Sequence, residues 1–281
     1  MIERIAVIGA GTMGHGIAHA AIVAGYDTAM YDVSTEALDK GRAAIRAILD
    51  KGVELGKLAP ADRDASTARL RTTIDLADAV RRADLVVEAA PEAIDLKLTL
   101  LHDIEKHTSA AAVIASNTSS LSVTEMGAAL SCPGRFAGMH FFNPVHKMKL
   151  VEVVRALESS DETLRTIDDV ARKMGKETVV VKDSAGFITS RVNAMIGNEA
   201  FYMLQEGVAS ARDIDKALKL GLNHPMGPFE LVDLVGLDTR LSVLEFLHRS
   251  LGEKYRPCPL LTQHVKAGRL GKKVGRGVYE Y

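Results

Sequence analysis

The residues Ile5 to Asp32 constrain this chain more than any other stretch. Ile5-Ala6-Val7-Ile8 is a short apolar run of β type, and it stops at Gly9-Ala10-Gly11-Thr12-Met13-Gly14, whose glycines have the spacing G-x-G-x-x-G. An alanine-rich helical segment, Gly16 to Ala24, follows and is broken by Gly25; a second strand, Thr28 to Tyr31, then ends at Asp32. Each part answers a need of a bound dinucleotide. Gly9 allows the tight turn, Gly11 lets the backbone approach a pyrophosphate, and Gly14 lets the helix pack closely on the strand. The helix start adds N–H groups and a positive dipole end. Asp32 is placed to accept hydrogen bonds from both hydroxyls of an adenosine ribose and would repel a 2′-phosphate, which favours NAD over NADP. A lone glycine motif of this spacing is weak, but here the flanking strand, helix and acidic residue supply the context it needs.

A chain of 281 residues, 47% hydrophobic, can bury a sizeable core in one large or two ordinary domains. Its net charge of −1 gives no general reason to expect nucleic acid or an anionic membrane as partner. Cys132 and Cys258 lie far apart with no second ligand cluster, so neither a disulfide framework nor a metal site is expected. The first strand pattern begins within four residues of Met1, which leaves no room for a targeting peptide, and no apolar run approaches membrane-spanning length. A soluble, cytoplasmic protein is the expectation.

After Asp32 the next convincing strand is Leu85-Val86-Val87, so the roughly fifty residues between form an excursion. Leu38, Ile45, Ile48 and Leu49 recur at helical spacing, Gly52, Gly56 and Pro60 break the pattern, and Asp62 to Leu70 restarts it. This predicts a helical hairpin standing off the sheet. It carries Arg42, Arg46, Lys51, Lys57 and Arg63, basic groups able to meet the phosphates of a long anionic substrate, with Lys51 and Lys57 as the substrate-binding candidates. Further apolar runs at 85–89, 113–115, 136–139, 150–154 and 178–181 alternate with helical segments, the pattern of a doubly wound sheet.

From Gly186 the β-type runs vanish. Phe187 to Leu204 reads as one long apolar helix, Ser210 to Asp213 as a capping box opening another that Gly221 stops, and further helices follow near Phe229 to Val235, Thr239 to Leu251 and Leu260 to Ala267. The fold class is therefore α/β: a Rossmann-type doubly wound sheet with a helical hairpin insertion over residues 1–185, then an all-α domain over 186–281. That much apolar helix surface favours burial in a second copy, so a homodimer built on the helical domain is expected.

Four polar stretches are read where strands end: Ser116 to Ser120, His140 to Pro144, Glu152, and Ser190 with Asn193. Ligands of open α/β sheets bind beyond the carboxyl ends of the strands, so the first two can face a nicotinamide. His140 is the natural acid or base for oxidising a secondary alcohol, and Glu152 could hold its tautomer and stabilise the imidazolium. Ser119 would hydrogen-bond the alcohol or ketone oxygen, and Asn193 could polarise a neighbouring carbonyl. Taken alone, a histidine beside a strand is more often a structural hydrogen-bonder, and serine and asparagine clusters are ordinary turn chemistry.

Over essentially its whole length the chain resembles the short-chain 3-hydroxyacyl-CoA dehydrogenases, the bacterial 3-hydroxybutyryl-CoA dehydrogenases above all. The stretches that carry the resemblance are Val7 to Gly14, Val87-Glu-Ala89, Ala115-Ser-Asn-Thr-Ser-Ser-Leu121, Gly138-Met-His-Phe-Phe-Asn-Pro144, Met148 to Val153, Asn223-His-Pro-Met-Gly-Pro-Phe-Glu230 and Gly271-Lys-Lys-Val-Gly-Arg-Gly277. The resemblance implies that His140 is the catalytic base, Glu152 its carboxylate partner and Ser119 a substrate contact. It adds cofactor-contacting positions at Asp32, Ala89, Glu92, Lys97, Asn117, Asn143 and Lys273, beside Gly9, Ala10, Gly11, Thr12, Met13 and Gly14, with Asn143 also near the substrate. The implied reaction interconverts (S)-3-hydroxybutyryl-CoA and acetoacetyl-CoA with NAD. Its acyl-CoA would enter between the two domains, nucleotide end toward the helical excursion.

One motif departs from the family pattern: where the family has Gly-Phe, two hydrophobic residues and Asn-Arg, this chain has Gly186-Phe-Ile-Thr-Ser190-Arg191. The catalytic-site amide then falls to Ser190, to Asn193 one turn on, or to both. Alternatives of other kinds are a dehydrogenase of a small hydroxy or sugar acid, resembling the gulonate dehydrogenases and λ-crystallin, and a scaffold protein without chemistry.

Overall fold

The computed structural model describes residues 2–281 and divides into two compact units, one reaching to Asp183 and one running Ser184–Tyr281. In chain order the first contains β1 (Arg4–Ile8), α1 (Thr12–Val23), β2 (Asp27–Tyr31), α2 (Thr35–Glu54), α3 (Pro60–Ala68), β3 (Leu70–Thr73), α4 (Leu76–Val80), β4 (Leu85–Glu88), α5 (Ile94–His107), β5 (Val113–Ser116), α6 (Val123–Ala128), β6 (Phe136–Phe141), β7 (Leu150–Arg155), α7 (Asp161–Lys173) and β8 (Glu177–Lys182). The strands lie in one sheet in the order β3-β2-β1-β4-β5-β6-β7-β8. This is a Rossmann-type sheet extended at one edge, as the periodicity predicted. Every neighbouring pair is parallel except β6 and β7. No helix separates those two, so the chain turns back directly and the pair is antiparallel. The interior strands β4, β5 and β6 are buried at every residue, which is why they read as continuous apolar runs.

Three features depart from the expected layout. The excursion does not stand off the sheet throughout. Leu38, Ile45 and Leu49 of α2 join the core formed by Ile17, Ala21 and Met30, and a Cβ on Gly41 would come within 3.0 Å of Ala10 O and Met30 Cε. The excursion also returns to the sheet, because Leu70-Arg-Thr-Thr73 pairs with β2 as an edge strand. An edge strand whose residues are half-buried or exposed carries no apolar run, so no period marks it in the sequence. Third, α4 is a five-residue helix opened by Asp75, whose side chain accepts from Asp78 N; it is too short to show a helical period.

The second unit holds α8 (Thr189–Gln205), α9 (Ala211–Gly221), α10 (Pro228–Val235), α11 (Leu237–Leu251) and α12 (Pro259–Lys266). Its own core gathers Ala194, Phe201, Ile214, Phe229, Leu237, Leu244, Leu247 and Leu261. Helix α8 begins two residues later than its apolar pattern suggests, since Gly186 and Phe187 take φ of +72° and +46°, a left-handed turn that no α-helix continues through. Ser210 caps α9 by accepting from Asp213 N. The polypeptide from Gly271 onward is fastened by two buried carboxylates. Asp233 accepts from Val278 N, Tyr279 N and the Tyr281 hydroxyl, and Asp215 accepts from the Tyr279 hydroxyl as well as from Phe229 N and Glu230 N. No helix among the described residues is long and apolar enough to cross a membrane.

Candidate active site

The three glycines of the first turn have three different reasons. Gly9 sits at φ +108°, and a Cβ there would lie 2.7 Å from Ala89 O. A Cβ on Gly14 would lie 1.7 Å from Gly9 O, so helix and turn could not approach as they do. Gly11 is crowded by nothing: a Cβ would find no atom within 4 Å, and the residue opens α1 with no side chain capping it. The first helical bond is His15 N to Gly11 O, so the preceding N–H groups at the helix start lie ahead of the intrahelical ladder. Asp32 stands beside this turn. Its Oδ2 accepts from Ala10 N at 2.9 Å and its Oδ1 from Ser34 N at 3.1 Å. Each oxygen keeps a second lone pair for a ligand hydroxyl. An uncapped helix start, open approach at Gly11 and an oriented carboxylate at the end of β2 together fit a dinucleotide.

At the neighbouring strand ends the sequence reading overlooked Glu88, the last residue of β4. It is fully buried and accepts from Lys97 Nζ at 2.7 and 2.9 Å, Ala90 N at 2.6 Å and Ser116 Oγ at 2.5 Å. Lys97, which the resemblance puts among the cofactor contacts, lies beneath this loop. Only 1% exposed, its ammonium spends its three N–H groups on the two Glu88 oxygens and Ala90 O, and so supports the loop from beneath. Glu92 belongs to the same cluster: its Oε1 accepts from Thr118 Oγ1, from the backbone N–H of Ser119 and Ser120, and from both their hydroxyls. Burial alone would push its carboxyl up, but Lys97 and these donors outweigh burial and hold it below the usual carboxylate range. The nearby Asn117 is engaged through its Oδ1, which accepts from Phe141 N at 2.8 Å. Ala89 lies over the glycine turn, with its N–H on Ile8 O.

His140 and Glu152 are brought together by strand register. They face each other directly in the β6–β7 ladder, and Glu152 Oε2 lies 2.7 Å from His140 Nδ1. Glu152 therefore sits within its strand, not at its end, which corrects the expected placement; the residue types were legible while the hairpin that pairs them was not. A carboxylate can only accept, so Nδ1 carries the proton of this bond. The pair is 5% and 0% exposed, and the Phe142 ring lies 4.5 Å from the imidazole, centroid to centroid. Water is largely excluded, which strengthens the electrostatic coupling between the two groups.

The remaining candidates divide between the units. Asn143 is exposed just beyond β6. Lys51 lies on α2 in an exposed pair with Glu54, while Lys57 is exposed in the turn before α3. Arg46 and Arg63 also meet Asp50, so the basic face is partly neutralised. In the second unit Ser190 and Asn193 are half-buried one turn apart on α8, and Lys273 forms a two-pronged pair with Asp238 at 2.6 and 2.7 Å.

Comparison with known proteins places this geometry. Residues 4–184 match the family model described as 3-hydroxyacyl-CoA dehydrogenase, NAD binding domain, and residues 186–281 match the C-terminal domain of the same family. A probable 3-hydroxybutyryl-CoA dehydrogenase of Bacillus subtilis is 46% identical over 100% of this chain and 98% of its own length. The 3-hydroxybutyryl-CoA dehydrogenase of Bradyrhizobium diazoefficiens is 42% identical over 100% and 96%. Among solved structures, (S)-3-hydroxybutyryl-CoA dehydrogenase PaaH1 from Ralstonia eutropha superimposes with a TM-score of 0.97 at 44% identity, covering 100% of this chain and 99% of that one. With both halves matched in order and along their full length, the chain belongs to the 3-hydroxyacyl-CoA dehydrogenase family.

Proposed function

We propose that the protein is an NAD-dependent (S)-3-hydroxybutyryl-CoA dehydrogenase, interconverting that thioester and acetoacetyl-CoA. The observation that carries this reading is the buried His140–Glu152 pair at 2.7 Å, set in cross-strand register. NAD, when bound, supplies the acceptor for the hydride that leaves C3 of the substrate. His140 Nε2 takes the proton of the 3-hydroxyl as the C3–O bond becomes a carbonyl. The imidazole, now cationic, is stabilised through Nδ1–H by Glu152. In reduction the same nitrogen returns the proton to the oxygen of the incoming ketone. Ser119 hydrogen-bonds the substrate oxygen, and Ser190 or Asn193 polarises the thioester carbonyl.

The first unit is assigned the cofactor, apart from Lys273 of the second, and the second is assigned a share of the substrate and the self-association. Asp32, beside the glycine turn, selects the ribose hydroxyls of NAD against the 2′-phosphate of NADP. Gly9 through Gly14, Asp32, Ala89, Glu92, Asn117, Asn143 and Lys273 form the cofactor contacts, with Lys97 supporting them indirectly. Lys51 and Lys57 are assigned to the phosphates of the coenzyme A portion. A homodimer through the helical unit is supported by the large apolar side chains that unit leaves exposed on its own, including Val208, Leu220, Leu222 and Leu234.

The test is a coupled set of assays with NADH and NADPH against acetoacetyl-CoA and a sugar acid. Rapid oxidation of NADH with acetoacetyl-CoA is expected, with NADPH poor and gulonate inert in the reverse direction. His140→Ala and Glu152→Gln should each lower kcat by about 10²- to 10⁴-fold while leaving NADH affinity intact. Wild-type turnover by His140→Ala would reject the assignment, and sedimentation at micromolar concentration would decide the dimer.

A further inference from the structure

Glu88 and Ser116 close β4 and β5 side by side in parallel register, directly beneath the loops that lead to Glu92 and Ser119. Four hydrogen bonds converge on the Glu88 carboxylate, and its partner Lys97 lies 3.5 Å from Glu92 Oε2. Glu92 Oε1 in turn gathers Thr118 Oγ1 at 2.6 Å, Ser119 N at 2.9 Å, Ser120 Oγ at 3.0 Å, Ser120 N at 3.1 Å and Ser119 Oγ at 3.3 Å. An unbroken line of charges therefore runs from the sheet interior to the Ser119 hydroxyl. Stability alone is a poor reason for its inner half, since a buried ion pair commonly gives no more stability than apolar side chains of the same volume. What such a pair does supply is a single geometry: two oxygens, three N–H groups and one arrangement that satisfies them all.

We propose that Glu88 is a positioning residue for the reaction: it fixes Lys97, the Lys97 charge draws in Glu92, and Glu92, bonded to Ser119 N, sets where Ser119 places its hydroxyl oxygen for the substrate. The proposal rests on the dehydrogenase reading above. It differs from a purely structural role in one respect. If Glu88 acts through Ser119, its loss matters only while the Ser119 hydroxyl is present.

The experiment is a double-mutant cycle on the full-length protein with Glu88→Gln, Ser119→Ala and the combination, using acetoacetyl-CoA and NADH. NADH dissociation constants from fluorescence and thermal midpoints are measured alongside. Glu88→Gln is expected to lower kcat by roughly 10- to 100-fold, the usual effect of a lost support beneath a reacting group. In the Ser119→Ala background the same substitution is expected to cost less than about threefold, because coupled residues are not additive. Multiplying losses, or a wild-type rate in Glu88→Gln, would overturn the proposal. Should Glu88→Gln not fold, Glu88→Leu combined with Lys97→Met removes both charges. A folded, slow enzyme supports the proposal, and a folded, fully active one overturns it. Absence of acetoacetyl-CoA reduction by the wild type would instead remove the functional reading itself, so the two failures are told apart.

Discussion

His19, on α1, has an Nδ1 buried without a hydrogen-bond partner. Burial, aided by the charges of His146, Lys176 and His15 around it, pushes the imidazole down to about 4. Between about pH 6.5 and pH 4 the unfolded chain thus binds a proton at this residue that the folded chain refuses. The stability contributed by neutral His19 is present above about pH 6.5 and is lost as pH falls toward 4, by roughly 3 kcal/mol in all. Denaturant unfolding of wild type and His19→Leu at pH 7 and pH 4.5 checks this; the variant should lose distinctly less stability on acidification. Single residues were legible in the sequence where their chemistry is tied to a local motif, as at Gly9, Gly11, Gly14 and Asp32. Glu88 was not, because it closes an apolar run and reads as a strand end. Its partner Lys97 lies nine residues on, across a loop whose path no periodicity describes.

Elements were legible in proportion to their burial. The interior strands β1, β4, β5 and β6 announce themselves as apolar runs, whereas β3 at the sheet edge and the short α4 do not. The connection that makes β7 antiparallel to β6 was equally hidden, although both strands were found. Along this hairpin the side chains alternate between faces: Met139, Phe141, Val151 and Val153 enter the main core while His140 and Glu152 do not. The closing segment of the helical unit follows the same logic of buried polar anchors. Asp215 lies 2% exposed, and burial raises its carboxyl above the usual range despite the Tyr279 hydroxyl and two backbone N–H groups that oppose the shift. Tyr279→Phe removes one of those three donors and is expected to cost about 1–3 kcal/mol, read as a fall in the thermal midpoint. An unchanged midpoint would mean that the bonds to Asp233 hold the segment alone.

On the scale of the whole molecule the two units have separate cores, one around the sheet and one around α8, α10 and α11. Unfolding therefore need not be a single transition. A ligand that binds one unit stabilises that unit first, by about 2.7 kcal/mol at a hundred times its dissociation constant. Scanning calorimetry with and without NADH is expected to show the transition of the first unit displaced upward and that of the helical unit following less or not at all. Equal displacement of all heat absorption would show that the units melt as one. The hairpin has a consequence for how such a chain reaches working form. A slip of β7 by one residue would set a valine opposite His140 and push the Glu152 carboxylate into the apolar layer, a misregistration too costly to persist. Correct folding of the hairpin and pairing of His140 with Glu152 are thus one event. Quality control that rejects copies with a slipped β7 also rejects copies in which His140 and Glu152 are left apart.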